Sequence, residues 1–256
     1  MLINVNMSKA IFVSDLHLVD PDDAKTKLFV SFLAQAKHAG ATHLFLVGDI
    51  FDLWVSDHGY FTDKFSNVVR EIQELITGGV EVHYFEGNHD LHLTKFWRDQ
   101  IGAQVHKDHA TFDLSGLVVR VEHGDLINPD DHGYLFLRRL LRSAPMTFLS
   151  HHLPAFAVKA IGENASRASR DYTSNAKARP VEEIRQMIRA HAESMRAQSK
   201  FDVIISGHVH VTDDFTFKMN DREVRSINLG SWFEPPKALV IDAGGIRFEA
   251  VAPVPE

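Results

Sequence analysis

The chain has no cysteine among its 256 residues, so it can form neither a disulfide framework nor a thiolate metal site. Any bound metal must therefore be held by His, Asp, Glu or Asn, and a reducing compartment is allowed. Long apolar runs are also missing: none nears the roughly 18 residues of a membrane span. The opening MLINVNMSKA lacks the basic flank and apolar core of a secretory signal. A cytoplasmic protein is the expectation. Positive charge is in short supply, with 27 Lys and Arg against 34 Asp and Glu for a net charge of −7. That balance argues against nucleic acid as a partner, because non-specific affinity for a phosphate backbone comes mainly from Lys and Arg displacing counterions. Apolar residues, at 45%, suffice for one large core with an inserted subdomain. Histidine is plentiful at 16 residues, and position decides what each one means.

The N-terminal half alternates short apolar runs with helical patterns. KAIFVS precedes a helical stretch from Ala24 to Ala39 stopped by Gly40, and THLFLVGD follows it. A second helix, about Lys64 to Thr77, ends at Gly78 and Gly79 and leads into VEVHYFEGN. This strand–helix–strand–helix–strand order is the βαβ signature of a parallel sheet, and the lack of alternation in THLFLVGD indicates burial on both faces. Beyond residue 110, ATFDL and LVVRVEHGD flank a Ser-Gly turn and read as a hairpin, so the sheet becomes mixed. From about Asn128 to Lys200 the pattern is helical, at Tyr134 to Arg142, Thr147 to Ile161 and Val181 to Gln198. FDVIISGHVH then restores a strand, and two hairpins follow, turning at Asn220–Asp221 and at Gly244–Gly245. The organisation is an α/β core of residues 1–127 and 201–256 with a helical insertion, 128–200, in the same domain.

Five polar clusters sit directly after five apolar strands: Asp15 with His17, Asp49, Asn88 with His89, His123, and His208 with His210. Open α/β sheets gather their sites in this way, at the carboxyl ends of neighbouring strands. Asp, His and Asn suit borderline-hard divalent cations such as Mn²⁺, Fe²⁺, Co²⁺ or Zn²⁺. With His89 set aside, the seven remaining candidate ligands are too many for one ion. Two ions resolve the excess if one carboxylate bridges them, and Asp49 is the expected bridge, since Gly48 before it permits a tight turn. Each cluster has a plainer reading as a turn or a hydrogen-bonded histidine. That plainer role is the one expected for His38, His43, His83, His92, His106, His109, His151, His152 and His191, none of which lies in a cluster.

Taken in order, D-x-H (Asp15, His17), G-D (Gly48, Asp49), G-N-H-D (Gly87 to Asp90), H-G-D (His123 to Asp125) and G-H-x-H (Gly207 to His210) resemble the motif set of calcineurin-like metallophosphoesterases. The resemblance implies a two-sheet β sandwich flanked by helices, an αββα fold. It also implies that Asp15, His17, Asp49 and His210 hold one metal while Asp49, Asn88, His123 and His208 hold the other. Asn88 then brings a neutral oxygen, His89 is a proton donor or phosphate contact oriented by Asp90, and Asp90 and Asp125 orient imidazole or backbone.

Across nearly the whole chain, SDLHL, GDIFDLW, HGDLINPDDHGYLFLRR, the helical insertion and LGSW are further similar to UDP-2,3-diacylglucosamine pyrophosphatases, lipid A pathway enzymes that release UMP and lipid X. In that family the insertion is a lid over the acyl chains and glucosamine, which implies substrate contacts for Tyr134, Arg138, Ser169, Tyr172, Asn175 and Lys177. The lid composition suits an amphipathic, lipid-linked nucleotide-sugar or the anionic cytoplasmic membrane surface. Phe148, Leu149, Leu153, Phe156, Val158 and Ile161 are apolar, and Arg138, Arg139, Arg142, Lys159, Arg167 and Arg170 are basic. An ordinary helical cap is the plainer alternative. One residue departs from the family: His89 stands where the pyrophosphatases usually carry Arg. A histidine can protonate an alkoxide, which favours phosphomonoesters or diesters. A related phosphatase or phosphodiesterase is therefore the alternative function, and a non-catalytic lipid-binding or scaffold protein the second. Oligomeric state is not legible in the sequence.

Overall fold

The computed structural model describes residues 2–5, 9–154, 157, 160 and 179–252. The N-terminal βαβαβ expectation holds. Strands β2 (Lys9–Val13), β3 (His43–Leu46) and β5 (Glu81–Phe85) are parallel neighbours, joined through helix α1 (Ala24–His38) and then through α2 (Gly59–Lys64) and α3 (Ser66–Thr77). α1 starts where the Asp23 carboxylate accepts from Thr26 N, a side-chain N-cap. Short β7 (Gln104–His106) closes one edge of this first sheet, and the hairpin of β13 (Lys237–Asp242) and β14 (Gly245–Ala250) packs antiparallel on β2 at the other. The second sheet has the order β1 (Leu2–Val5), β8 (His109–Leu114), β9 (Leu117–Glu122), β10 (Val203–Ser206), β12 (Arg222–Leu229), β11 (Thr212–Met219). The β8–β9 hairpin therefore belongs to this second sheet. β1 had no sequence signal; it pairs parallel to β8. A two-stranded ribbon joins β4 (Trp54–Val55) to β6 (Asp90–Leu91).

Side-chain alternation explains the apolar runs. In β2, Ala10 and Phe12 face the second sheet while Ile11 and Val13 face helices; in β3, Phe45 and Leu44 divide in the same way. Between the sheets lie Phe12, Phe45, Val47, Phe85, Val119, Val121, Ile205 and Ile227. Outside the first sheet, Phe29 and Leu33 of α1 and Val68 and Ile72 of α3 fill the helical layer. Outside the second, Ala192 of helix α6 (Val181–Gln198) packs with Ile204, Phe217 and Val224. The result is the expected αββα sandwich, with each fully buried apolar side chain contributing about 1.5–3 kcal/mol.

Two further helices, α4 (His132–Leu141) and α5 (Ala144–His152), precede α6. The expected helix from Thr147 to Ile161 is broken: α5 begins at Ala144 and ends at His152, residues 157 and 160 are helical again, and 155–156, 158–159 and 161 lie outside the described residues. Leu153 is extended (φ −66°, ψ 141°) because it precedes Pro154, whose ring disfavours helical geometry in the residue before it. The Asn220–Asp221 turn is as expected, both residues having positive φ. In the last hairpin Asp242 pairs with Gly245, so the turn is Ala243–Gly244. A π-helix, Thr94–Ile101, was not legible in the sequence.

Candidate metal centre

All five clusters emerge at one end of the sandwich. Asp15 and His17 follow β2, Asp49 follows β3, Asn88 and His89 follow β5, His123 follows β9, and His208 and His210 follow β10. Because β2, β3 and β5 are mutually parallel and β9 is parallel to β10, their carboxyl ends coincide. Backbone bonds continue past the strands and set the loops: Asp15 N donates to Gly48 O, His17 N to Asp49 O, and Gly207 N to His123 O. Asp15, His17, Asp49, His208 and His210 all have left-handed backbone, with φ between 47° and 70°. Such conformations are costly for non-glycine residues and cluster at functional sites.

Asp49 lies at the middle. Its Oδ1 accepts from Asn88 N and His89 N, both at 2.9 Å, which fixes the carboxylate. Its Oδ2 lies 3.9 Å from His17 Nε2 and 3.6 Å from His123 Nε2, so one oxygen faces both halves of the centre. On one side Asp15 Oδ1, buried without a hydrogen-bond partner, stands 3.3 Å from His210 Nε2, and His210 Nε2 is 3.0 Å from His17 Nε2. On the other, His123 Nδ1 bonds to Val47 O at 2.9 Å, and Nε2 meets Asn88 Oδ1 at 3.2 Å. Ligand-type atoms of Asp15, His17 and His210 lie within 4.8 Å of one another, as do those of Asp49, His123 and His208. An orphaned carboxylate oxygen and converging imidazole nitrogens are what a cation would satisfy, so these residues fit two divalent ions. Among the described residues, a third group with this spacing joins His89 to His17 and Asp49; none contains the other histidines.

The electrostatics agree. Burial lowers His17 to about 3 and His208 to about 4, leaving both imidazoles neutral as metal ligands require. For His123 burial also opposes the charge, but the Asp49, Asp15 and Asp125 carboxylates outweigh it and raise the group to about 9. Near neutral pH an ion must therefore displace a proton from His123. Glycine makes the close packing possible at two points. A Cβ on Gly48, whose φ is +81°, would strike the His123 ring, and one on Gly87 would overlap Asp49 Oδ1.

Of the expected supporting roles, the binding of backbone by Asp90 is observed, while its hold on the His89 ring and the role of Asp125 differ. Asp90 does not hold the His89 ring. Its carboxylate accepts from Asp49 N (3.0 Å), Ile50 N (2.9 Å), Gly87 N (2.8 Å) and Tyr84 Oη (2.8 Å), tying two ligand loops together. Burial and the Asp49 charge raise its pKa. His89 is oriented instead through Nδ1, which donates to Asp52 O at 2.8 Å. A backbone carbonyl leaves no sequence signature, so this could not be foreseen. Asp125 meets side chains instead: among the described residues its Oδ2 accepts from Tyr134 Oη (2.9 Å) and Arg138 Nε (2.6 Å). Asp90→Ala should leave four buried donors unpaired and destabilise the metal-free protein by at least about 3 kcal/mol, measured by urea unfolding. A loss under about 1 kcal/mol would mean these bonds are replaced by others.

Of the six residues expected to touch substrate, Tyr134 and Arg138 lie on α4. The Tyr134 ring is 5.8 Å from that of His208, and Arg138 also bonds to Asp108 at 2.6 Å. Ser169, Tyr172, Asn175 and Lys177, like Phe156, Val158, Ile161, Lys159, Arg167 and Arg170, lie outside the described residues. Arg142, singled out from sequence only as part of a basic region, donates to Gly87 O at 3.1 Å and to the Glu86 carboxylate at 3.1 Å, clamping the loop that carries Asn88. Lys25 and Phe233 were missed altogether. Lys25 Nζ donates to His17 O at 3.2 Å, and the Phe233 ring stacks 5.5 Å from His17.

Residues 8–212 match the family described as calcineurin-like phosphoesterase. A UDP-2,3-diacylglucosamine hydrolase of Pseudomonas aeruginosa is 30% identical over 244 residues, 93% of this chain and 96% of that protein. One of the same name from Stenotrophomonas maltophilia is 30% identical over 247 residues, 94% of this chain and 98% of its own. A third, from Vibrio atlanticus, is 28% identical over 91% of this chain and 93% of that protein. The solved structure of an archaeal phosphodiesterase aligns at 14% identity with a TM-score of 0.48, over 94% of this chain and 99% of that one.

Proposed function

This chain belongs to the calcineurin-like phosphoesterase family, whose members are metal-dependent hydrolases, and from that premise we propose that it hydrolyses the pyrophosphate of UDP-2,3-diacylglucosamine to lipid X and UMP. The observation that carries the metal chemistry is Asp49, with one oxygen anchored by backbone N–H groups and the other facing both ligand groups. Asp15, His17, Asp49 and His210 would hold one divalent ion and Asp49, Asn88, His123 and His208 the other, Mn²⁺ being our choice ahead of Fe²⁺, Co²⁺ or Zn²⁺. When bound, such ions neutralise phosphate oxygens and bring the pKa of water towards neutrality. The protein supplies the geometry. Asp90 and Arg142 hold the Gly87–Asn88 loop, and the Asp52 carbonyl binds Nδ1 of His89, which assigns proton traffic at that ring to Nε2. His89 then contacts phosphate or protonates a leaving oxygen.

The substrate assignment is supported by similarity to UDP-2,3-diacylglucosamine hydrolases along more than nine-tenths of the chain. That extent favours it over a related phosphatase of other specificity and over a non-catalytic scaffold. The surface of α4 and α5 is consistent with it: Phe136 and Phe148 are 69% and 66% exposed, beside Leu137, Leu140 and Leu149. No helix among the described residues is long and apolar enough to cross a membrane. We assign the segment 128–200 as the insertion whose α4–α5 face meets acyl chains at the cytoplasmic membrane surface, with Tyr134, Arg138, Ser169, Tyr172, Asn175 and Lys177 toward the substrate. The test is product analysis with Mn²⁺ on UDP-2,3-diacylglucosamine, alkyl phosphomonoesters and diesters. Equal amounts of UMP and lipid X are expected. Fast ester hydrolysis with no UMP from the acylated substrate would overturn the assignment.

A further inference from the structure

Asn228 lies near the carboxyl end of β12, beside Ser206 of β10 and outside the five clusters, and it is 0% exposed. A buried amide is costly unless its polar atoms are bonded, and both ends of this one are. Nδ2 donates to Gly207 O at 2.7 Å and to Ser206 Oγ at 3.0 Å, while Oδ1 accepts from Gly230 N at 3.2 Å. The partners fix the orientation of the amide. A backbone carbonyl can only accept and a backbone N–H can only donate, so a flipped amide would face like groups at both Gly207 and Gly230.

We propose that Asn228 is a positioning residue for both metal groups, acting through the peptide that joins Gly207 to His208. The inference rests on the two-metal reading above and adds to it a residue that is itself no ligand. In a trans peptide, as this one is, C=O and N–H point in opposite directions, so a bond that holds one aims the other. Asn228 holds the Gly207 carbonyl, and on the far side of the same peptide His208 N donates to Asp15 Oδ2 at 2.8 Å. Among the described residues the carbonyl's other donor is Val209 N, 2.9 Å away in the same loop, so Asn228 supplies its tie to β12. The bond to Asp15 engages one carboxylate oxygen and leaves Oδ1 without a hydrogen-bond partner, 3.3 Å from His210 Nε2. The peptide also carries His208, grouped with Asp49 and His123. The other end of the amide reaches Asp15 by a second route. Gly230, held by Oδ1, leads to Trp232, whose N donates to Asp15 O at 3.3 Å. One buried side chain thereby sets a ligand of each group.

The test compares metal-free and Mn²⁺-loaded protein. Asn228→Leu is close in volume and Asn228→Val suits a strand; both remove the donor. Competition with a chelating dye should show both ions held about 10–100-fold more weakly, the range for loss of a group that orients a metal ligand. The visible spectrum of the Co²⁺-loaded protein should shift as well, and urea unfolding of the metal-free variants reads stability separately. Ser206→Ala takes away the amide's other acceptor but leaves Gly207 O bonded, so it should keep both Mn²⁺ affinities. In the unaltered metal-free protein His208 N–H should be protected from hydrogen exchange, a result that does not depend on any variant folding. Mn²⁺ affinities unchanged in Asn228→Leu and Asn228→Val, whatever their stability, would make Asn228 merely structural and overturn the proposal. Equal weakening in Ser206→Ala, or rapid exchange of His208 N–H in the unaltered protein, would do the same. Failure of the two-metal reading looks different: the unaltered protein itself takes up fewer than two ions, and the inference falls with its premise.

Discussion

Asp49→Ala is expected to lose both metal ions together and to lower kcat/KM by about 10³-fold or more. The reason lies in how the carboxylate is shared. Oδ2 faces His17 on one side and His123 on the other, so its removal deprives both groups of an anionic ligand at once. Oδ1 accepts from Asn88 N and His89 N, so the same change also frees the loop that presents Asn88. Asp49→Asn separates the two contributions. The amide retains an acceptor for the backbone N–H groups but carries no charge, so it should keep the loop in place and still fail to hold two ions. Metal content by mass spectrometry, alongside activity, reads the outcome. An Asp49→Ala protein that retains two tightly bound ions and full activity would rule out the shared carboxylate.

His89→Asn should separate substrates by their leaving groups. If the imidazole protonates a departing alkoxide, hydrolysis of alkyl phosphate esters should drop by roughly 10²–10⁴-fold, the usual range for general acid catalysis. A nitrophenyl ester or a UDP-linked lipid departs without a proton, so its loss should be confined to whatever charge His89 offers the phosphate. The Nδ1 bond to Asp52 O helps to set the orientation of the ring that this substitution removes. His89→Arg would restore the residue usual in the pyrophosphatases and should preserve turnover of the lipid substrate. Equal losses on poor and good leaving groups, with the chemical step shown to limit the rate, would leave His89 as a phosphate contact only.

How legible these features were depends on the kind of bond involved. β2 and β3 could be read from apolar runs because both faces of each strand are buried, and the metal ligands because they follow strand ends in ordered motifs. Which backbone groups a side chain binds could not be read. Asp90 was expected to orient the His89 ring or backbone, and it is the backbone of Asp49, Ile50 and Gly87 that it binds. The end of α5 was misplaced because the apolar pattern continues through Pro154, whose local effect on Leu153 outweighs periodicity. Lys25 and Phe233 went unnoticed because they come from α1 and from the loop after β12, and only the fold brings them to His17. The left-handed backbone of five ligands had no signal beyond the neighbouring glycines.

The proposed ligands divide between the sheets: Asp15, His17, Asp49 and Asn88 hang from the first, His123, His208 and His210 from the second. Two ions held at this junction would act mechanically as a rivet. An ion held by Asp15, His17 and His210 would tie together residues 193 positions apart, as His17 and His210 are. It would thereby cross-link distant parts of a chain that has no cysteine to do so. Each ion that binds only the folded form shifts the unfolding equilibrium by mass action, by about 4 kcal/mol at a thousand times its Kd. With the proposed ions in place, the supply of free metal would then govern how long the protein persists as well as how fast it works, and a metal-starved chain would be exposed to proteases through the opening of its own sandwich.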